Sequence, residues 1–491
     1  MSKIRSSFVF SAIDRYIAQV LLIVTTAIMS RILTPAEVGL FLTAHAIVLV
    51  AEILRDLGIS HYIVQKENLE RRNVQCAFTL SFLFSITMGI LIFVFSNEIA
   101  VFFGDPGLAD LLEIGCLGFV IVPFGGPIFA LLRRDLRFQA MAGINVTQSV
   151  TSTVLTIGLG LLGVGPASYM WASVIANSLQ AAMAFIIRPD TWIYRPTLSG
   201  AGEVVRFGFV ASIVTIATLA QELMPRLILG RMLNLTAVGI FSRALSICQL
   251  PERGIAQVLT PVVLPALAAH TRAGGELREA YLKALSMVTA VQWPALAMLA
   301  ILADPAVQVL LGDQWGEVPP LVRIAAIASM ALAPNFLTYP VLIAAQRIND
   351  TLTVTWLTIP ICIAVMILAA PYGLTVVALS LLVTSPFQMA VALHFLCKRL
   401  GMTWREVGKA SVGSLIILLT TAAAPLAFLL YLDTGGVLNW WQVIVIIGMG
   451  GAGWGAGLLL TDHPLKAELQ IAAGWVARKL RPDQAAAKPT E

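Results

Sequence analysis

Charge is what this sequence has least of. Asp, Glu, Lys and Arg together make up 12% of its 491 residues, against about 25% in a soluble domain. Half the usual charge cannot coat a water-facing surface of this size, which excludes an ordinary soluble protein. Cysteine is scarce as well. Cys76, Cys116, Cys248, Cys362 and Cys397 lie in or beside apolar stretches without a CxxC spacing, so they read as small core residues rather than disulfides or metal ligands. No P-loop, HExxH or GxSxG motif is present. Gly158-x-Gly160-x-x-Gly163 satisfies a dinucleotide-binding pattern, but it sits inside an apolar run with no strand before it. The loops are short and leave no room for a catalytic domain outside the membrane. The sequence therefore calls for no cofactor, no metal and no ATP hydrolysis, and for a protein that is not an enzyme.

What remains is apolar. Hydrophobic residues make up 58% of the chain, and runs of about twenty recur, the length that crosses a hydrocarbon core of about 30 Å. The fold class is all-α, a polytopic membrane protein of about fourteen spans. They are expected at 8–30, 36–57, 74–96, 109–131, 140–162, 167–187, 205–229, 237–265, 284–303, 320–344, 351–370, 373–396, 410–431 and 438–460. Lys3 and Arg5 before the first run imitate a signal peptide, but Asp14 and Arg15 interrupt that run early, and it is expected to be a retained first span.

The net charge of +5 does not point to nucleic acid, because the basic residues form no single face. They follow topology instead. With a cytoplasmic N-terminus, alternate loops collect Lys66, Arg71 and Arg72; Arg133, Arg134 and Arg137; Arg188 and Arg195; and Lys398, Arg399 and Arg405, while the outer loops keep Arg31 and Arg231. Both termini are then cytoplasmic.

Residues 30–52 align without gaps on residues 230–252. Identities fall at Arg31/Arg231, Leu33/Leu233, Val38/Val238, Gly39/Gly239, Phe41/Phe241, Ala44/Ala244, Ile47/Ile247 and Glu52/Glu252. A fainter echo sets Phe102-Phe103-Gly104-Asp105 against Leu310-Leu311-Gly312-Asp313. An offset of six spans keeps both copies in the same orientation, which implies a parallel repeat about an axis along the membrane normal. The expected organisation is a six-helix lobe over 1–200, a second over 201–400, two additional spans over 401–465 and a cytoplasmic tail over 466–491. Span 14 is rich in glycine, which suits close helix packing.

A charge at mid-bilayer costs about 2.5–3.5 kcal/mol on insertion scales, so the positions of buried charges carry information. Polarity concentrates on the first two helices of each repeat. Span 1 carries Asp14, Arg15 and Gln19; span 2 carries His45, Glu52, Arg55 and Asp56; span 7 carries Glu222 and Arg226. Span 8 carries Arg243, Gln249, Glu252, Arg253 and Gln257. The expectation is a hydrated cavity between spans 1, 2, 7 and 8. Plainer readings stand beside it: Glu222 and Arg226 form a self-neutralising i, i+4 pair, Arg55 and Asp56 sit at the interface, and His45 is a packing residue. Pro225, Pro251, Pro261, Pro294 and Pro334 imply kinks.

Arg31-x-Leu33-x-Pro35-x-Glu37-Val38-Gly39-x-Phe41, closing on Asp56-Leu57-Gly58, resembles the N-terminal signature of polysaccharide-export flippases. These belong to the multidrug, oligosaccharidyl-lipid and polysaccharide exporter superfamily. Gly104-Asp105, Arg133-Arg134-Asp135-Leu136-Arg137-Phe138 and Gly312-Asp313-x-Trp315 fit the same pattern over roughly residues 8–400. In the second half Asn234-Leu235-Thr236-Ala237 lacks the Pro and Glu of the first copy.

The resemblance implies a transporter of the bacterial inner membrane. Its substrate would be an undecaprenyl-pyrophosphate-linked oligosaccharide, moved to the periplasmic leaflet for exopolysaccharide or lipopolysaccharide synthesis. A polysaccharide polymerase and chain-length or export proteins would be its partners. Arginine suits pyrophosphate through bidentate pairing, so Arg15, Arg226, Arg243 and Arg253 are the candidate anion site, with Gln19, Gln249 and Gln257 for sugar hydroxyls. Glu222, then Glu52, Glu252 and Asp14, are the candidates for ion coupling. Two rivals remain: a multidrug or cation antiporter of the same fold, which would favour an acidic cavity, and a membrane glycan polymerase, which would need a long periplasmic loop.

Overall fold

The computed structural model describes residues 2–56, 58–254, 277–335, 338, 341–342, 348–432, 438–466 and 468–470. The protein is helical, with no strand among the described residues. The helices are α1 (Ser2–Ile32), α2 (Pro35–Asp56), α3 (Ile59–Gln65), α4 (Arg71–Val94), α5 (Ser96–Phe103), α6 (Gly107–Arg134), α7 (Phe138–Leu161), α8 (Ala167–Ile187), α9 (Ala201–Met232) and α10 (Leu235–Cys248). They continue with α11 (Leu277–Ile301), α12 (Ala303–Leu311), α13 (Val318–Leu332), α14 (Ile348–Ala369), α15 (Leu374–Leu400), α16 (Trp404–Leu432) and α17 (Trp440–Leu460). Among the described residues ten helices are long and apolar enough to cross a membrane. Of the four other expected spans, 140–162 and 205–229 overlap α7 and α9, while 237–265 and 320–344 overlap the shorter α10 and α13 and run on outside the described residues.

Local chemistry sets the boundaries. At the start of α2 the Thr34 hydroxyl accepts from the Glu37 amide at 3.3 Å, and the Glu37 carboxylate accepts from the Thr34 amide at 2.8 Å. This is a capping box with Pro35 at the first helical position, where its missing N–H costs nothing. The second copy of the repeat keeps the function with different residues. Asn234 Oδ1 accepts from the Ala237 amide at 2.8 Å, a cap that needs neither the Pro nor the Glu of the first copy.

The chain divides into two compact units. One comprises Met1–Ala244, Val307–Val318 and Thr355–Ser380; the other comprises Leu245–Ala306, Pro319–Val354 and Leu381–Glu491. In the first, α6 packs on α4 and α8, α7 lies against α1 and α8, and α2 packs on α6 and α9. Val74, Phe78, Leu131, Leu132 and Ile144 form one fully buried cluster there.

The second unit is built around α11, α16 and α17. Gly450, Gly453 and Gly457 form the packed face of α17. A Cβ at Gly453 would lie 2.2 Å from the Thr420 carbonyl oxygen, and one at Gly457 2.9 Å from the Ile417 Cα. Gly448, Gly451 and Gly455, on other faces, meet nothing within 4 Å. The glycines of span 14 thus serve close packing where the helical period brings them to α16 and α11. Thr289 donates to Ser414 at 2.8 Å and the Trp454 indole to the Ala290 carbonyl at 2.9 Å, satisfying polar groups that lipid cannot.

Candidate substrate path and its polar residues

The segments singled out as repeat copies meet each other within the first unit. A Cβ on Gly39 would sit 1.7 Å from the Leu235 carbonyl oxygen, and one on Gly239 2.1 Å from that of Pro35. Arg31, at the end of α1, donates to the Val309 carbonyl at 2.7 Å and lies against Gly312. Its counterpart Arg231, at the end of α9, lies over the Phe102 ring, 4.7 Å from its centroid. Each arginine therefore reaches the echo segment of the opposite copy. Gln314 donates to the carbonyls of Ser30 and of Leu33, the latter at 2.9 Å, and the Trp315 indole donates to Ser30 O at 2.7 Å. These carbonyls are among those that a helix C-terminus leaves without intrahelical partners.

Arg243 stands beside this junction. Its side chain is buried, its guanidinium lies 6.0 Å from the Trp315 ring centroid, and the Tyr169 hydroxyl is within its electrostatic reach. Tyr169 in turn stacks on Phe41 at 4.1 Å. The Nε of Arg243 has no hydrogen-bond partner among the described residues. A buried cation with a spare donor, beside the Trp315 ring, has the equipment to take an anionic oxygen.

The other candidates are placed as follows. Arg15 is exposed on α1 and Gln19 half-buried, while Asp14 accepts from Asn145 Nδ2 at 3.1 Å. Glu222 is exposed and Arg226 half-buried on α9, 3.7 Å apart as an i, i+4 pair, and His45 lies within electrostatic reach of Arg226. Glu52 is half-buried beside the buried Arg55. Gln249, Glu252 and Arg253 belong to the second unit, where Arg253 donates to Gln249 Oε1 at 2.7 Å. Gln257 lies outside the described residues, as does Pro261.

Several polar groups escaped the sequence reading. Asn145 and Gln148 on α7, and Asn177 and Gln180 on α8, form two amide pairs across the helices, Gln180 with Asn145 and Gln148 with Asn177. Their signal was available: Asn-x-x-Gln occurs once in each of two consecutive apolar helices, placing both amides on one face. The Arg133-Arg134-Asp135 motif has a structural part. Arg134 donates to the carbonyls of Ile63, Val64, Lys66 and Glu67 at 2.5 to 3.3 Å, closing the end of α3. Arg188 joins Asp135 at 2.5 Å and Asp190 at 2.6 Å, and that hydrogen bond holds the Asp190 carboxyl below its usual range. Lys66 pairs with Glu203 at 2.8 Å, which raises the Lys66 ammonium and lowers the Glu203 carboxyl from their ordinary values.

Residues 28–320, more than half of the chain, match a family described as "Polysaccharide biosynthesis protein". The chain belongs to that family. Among relatives, it is 23% identical to the lipopolysaccharide biosynthesis protein WzxC of Escherichia coli (strain K12), over 69% of this chain and 70% of that protein. It is 24% identical to the succinoglycan biosynthesis transport protein ExoT of Rhizobium meliloti (strain 1021), over 64% of each. The fold is that of the lipid II flippase MurJ in an inward closed conformation, with a TM-score of 0.76 and 14% identity over 94% of this chain and 99% of that one. This member of the polysaccharide biosynthesis family is accordingly a multi-pass helical membrane protein with a MurJ-like fold.

Proposed function

We propose that the protein is a flippase that moves an undecaprenyl-pyrophosphate-linked oligosaccharide from the cytoplasmic to the periplasmic leaflet of the bacterial inner membrane. It would serve exopolysaccharide or lipopolysaccharide synthesis. The observation that carries this reading is the family match combined with a MurJ-like fold over nearly the whole chain. A relative named for succinoglycan transport supports the transport role, and the basic-residue bias supports cytoplasmic termini.

In this reading fourteen spans form two parallel six-helix lobes, 1–200 and 201–400, followed by two additional spans. The arginines Arg15, Arg226, Arg243 and Arg253 neutralise the pyrophosphate along its path, and Gln19, Gln249 and Gln257 meet sugar hydroxyls. Arg243 is the best equipped of these. Its spare Nε donor and the Trp315 ring beside it offer a fixed, weakly hydrated cation, the property that makes guanidinium suit phosphate. Directionality draws on an ion gradient or on consumption of the substrate downstream, and Glu222 is the coupling carboxylate for the first. A pyrophosphate that takes Arg226 from Glu222 leaves that carboxylate free to bind a proton, which couples substrate to ion. Glu52, Glu252 and Asp14 are the alternative coupling carboxylates. A polymerase and chain-length or export proteins would take the product.

The test is flipping in reconstituted vesicles. Lipid-linked oligosaccharide from a polysaccharide-producing strain is enclosed with the purified protein, and its appearance on the far leaflet is read with an impermeant glycan-oxidising reagent. Protein-dependent appearance is expected; equal rates in protein-free vesicles would refute the function.

A further inference from the structure

The first unit holds a cavity that the arginine path does not use. It lies between α6, α7 and α8 and has a volume of about 310 Å³. Its lining includes Asn145, Asn177, Gln180, Ser60, Arg133 and Phe129. Four of these are neutral polar side chains, one is an exposed cation at the rim and one is an aromatic ring. The volume lies at the small end of ligand pockets, roughly 300–1,000 Å³. It would hold one ring rather than a chain of rings.

The amides lie in two short hydrogen-bond chains. Gln180 Nε2 donates to Asn145 Oδ1 at 3.3 Å, and Asn145 Nδ2 donates to the Asp14 carboxylate at 3.1 Å. A carboxylate can only accept, so Asp14 fixes which end of Asn145 is the donor and, through it, which end of Gln180. Gln148 Nε2 donates to Asn177 Oδ1 at 3.3 Å, and Asn177 Nδ2 donates to the Ser173 hydroxyl at 3.5 Å. Each chain uses one N–H of each donating amide. Every primary amide has two N–H donors and an oxygen with two lone pairs, so both donors and acceptors are left for a ligand.

Amides held in membrane-spanning helices are costly unless satisfied, and a ligand rich in hydroxyls would satisfy them. Adjacent ring hydroxyls offer a donor and an acceptor side by side, matching an amide edge. The Phe129 ring supplies an apolar face for the C–H side of a pyranose. Arg133, at the rim, suits an anionic substituent. Ser60 and Arg133 place the opening at the end of the unit that the basic-residue bias assigns to the cytoplasm, where a substrate would load.

We propose that this cavity binds one sugar ring of the glycan being carried, separately from the arginines that meet its pyrophosphate. The proposal rests on the flippase reading. It assigns Asn145, Asn177 and Gln180 to glycan selection and Asp14 to positioning Asn145.

The experiment measures binding to the full chain in lipid nanodiscs with two probes: the lipid-linked oligosaccharide of a producing strain, and undecaprenyl pyrophosphate without sugar. In Asn177→Leu and Gln180→Leu the Kd for the oligosaccharide probe should rise about tenfold, the net worth of roughly one hydrogen bond. The Kd for the sugar-free probe should stay within twofold. Asn177→Ala and Gln180→Ala, which only shorten the side chain, should give the same selectivity and serve if the leucine variants do not accumulate. An unchanged oligosaccharide Kd, or equal weakening for both probes, overturns the sugar site while leaving the flippase reading intact. A wild-type protein that binds neither probe above phosphatidylglycerol nanodiscs overturns the flippase reading itself.

Discussion

Gly39 and Gly239 touch reciprocally: the site of a Cβ on Gly39 is filled by the Leu235 carbonyl, and that on Gly239 by the Pro35 carbonyl. Positions 35 and 235, like 39 and 239, are equivalent in the sequence repeat. Such a contact, in which residue i meets j′ and j meets i′, is the mark of a local twofold relation. Arg31 against Gly312 and Arg231 over Phe102 repeat the pattern one step further out. Glycine is required at the crossing because the opposing atoms are backbone and cannot step aside.

Gly39→Ala and Gly239→Ala should therefore each destabilise the protein by about 1–3 kcal/mol, the usual cost of overpacking, with both copies affected alike. Gly451→Ala, where nothing lies within 4 Å, is the control. Thermal unfolding of purified protein in detergent reads the difference. A Gly39→Ala melting curve that overlays the control would refute the crossing.

Arg243→Ala is expected to reduce export by tenfold or more, with normal accumulation in the membrane. Arg243→Lys should restore a part, since charge survives and the planar fork does not. Complementation of a strain lacking its own polysaccharide flippase, with surface glycan as readout, measures both. Full export by the alanine variant would exclude Arg243 from the anion path.

Glu222→Gln should abolish the response of vesicle flipping to an imposed pH gradient and leave substrate binding unchanged. A response equal to that of the wild type would pass the coupling role to Glu52, Glu252 or Asp14.

The Lys66–Glu203 pair gives a pH window whose sign is fixed by the direction of the two shifts. Glu203 is lowered from 4.5 by its hydrogen bond to Lys66, so its contribution is present above that value and lost as pH falls through the folded one. Lys66 is raised from 10.5 by the same bond, so its contribution is present below that value and lost as pH rises through the folded one. The melting-temperature difference between wild type and Glu203→Gln should be flat from about pH 6 to 9 and shrink in strong acid. A difference that persists undiminished well below pH 4.5 would show that the carboxylate charge is not what stabilises.

Much of this protein was written in local sequence. The spans were legible because crossing hydrocarbon demands an apolar run of set length, whatever the neighbours are. The α2 cap is likewise local, since Thr34 and Glu37 satisfy backbone groups within one turn. The repeat marked Gly39 and Gly239 as equivalent, though not as touching. Tertiary structure alone decided the partners. Trp315 reaches the Ser30 carbonyl from 285 residues away, Asn145 joins Asp14 to Gln180, and Arg134 closes α3. The physical reason is that a polar group in a low-dielectric interior must find a partner. Its sequence announces that need, while the identity of the partner depends on which helices pack side by side.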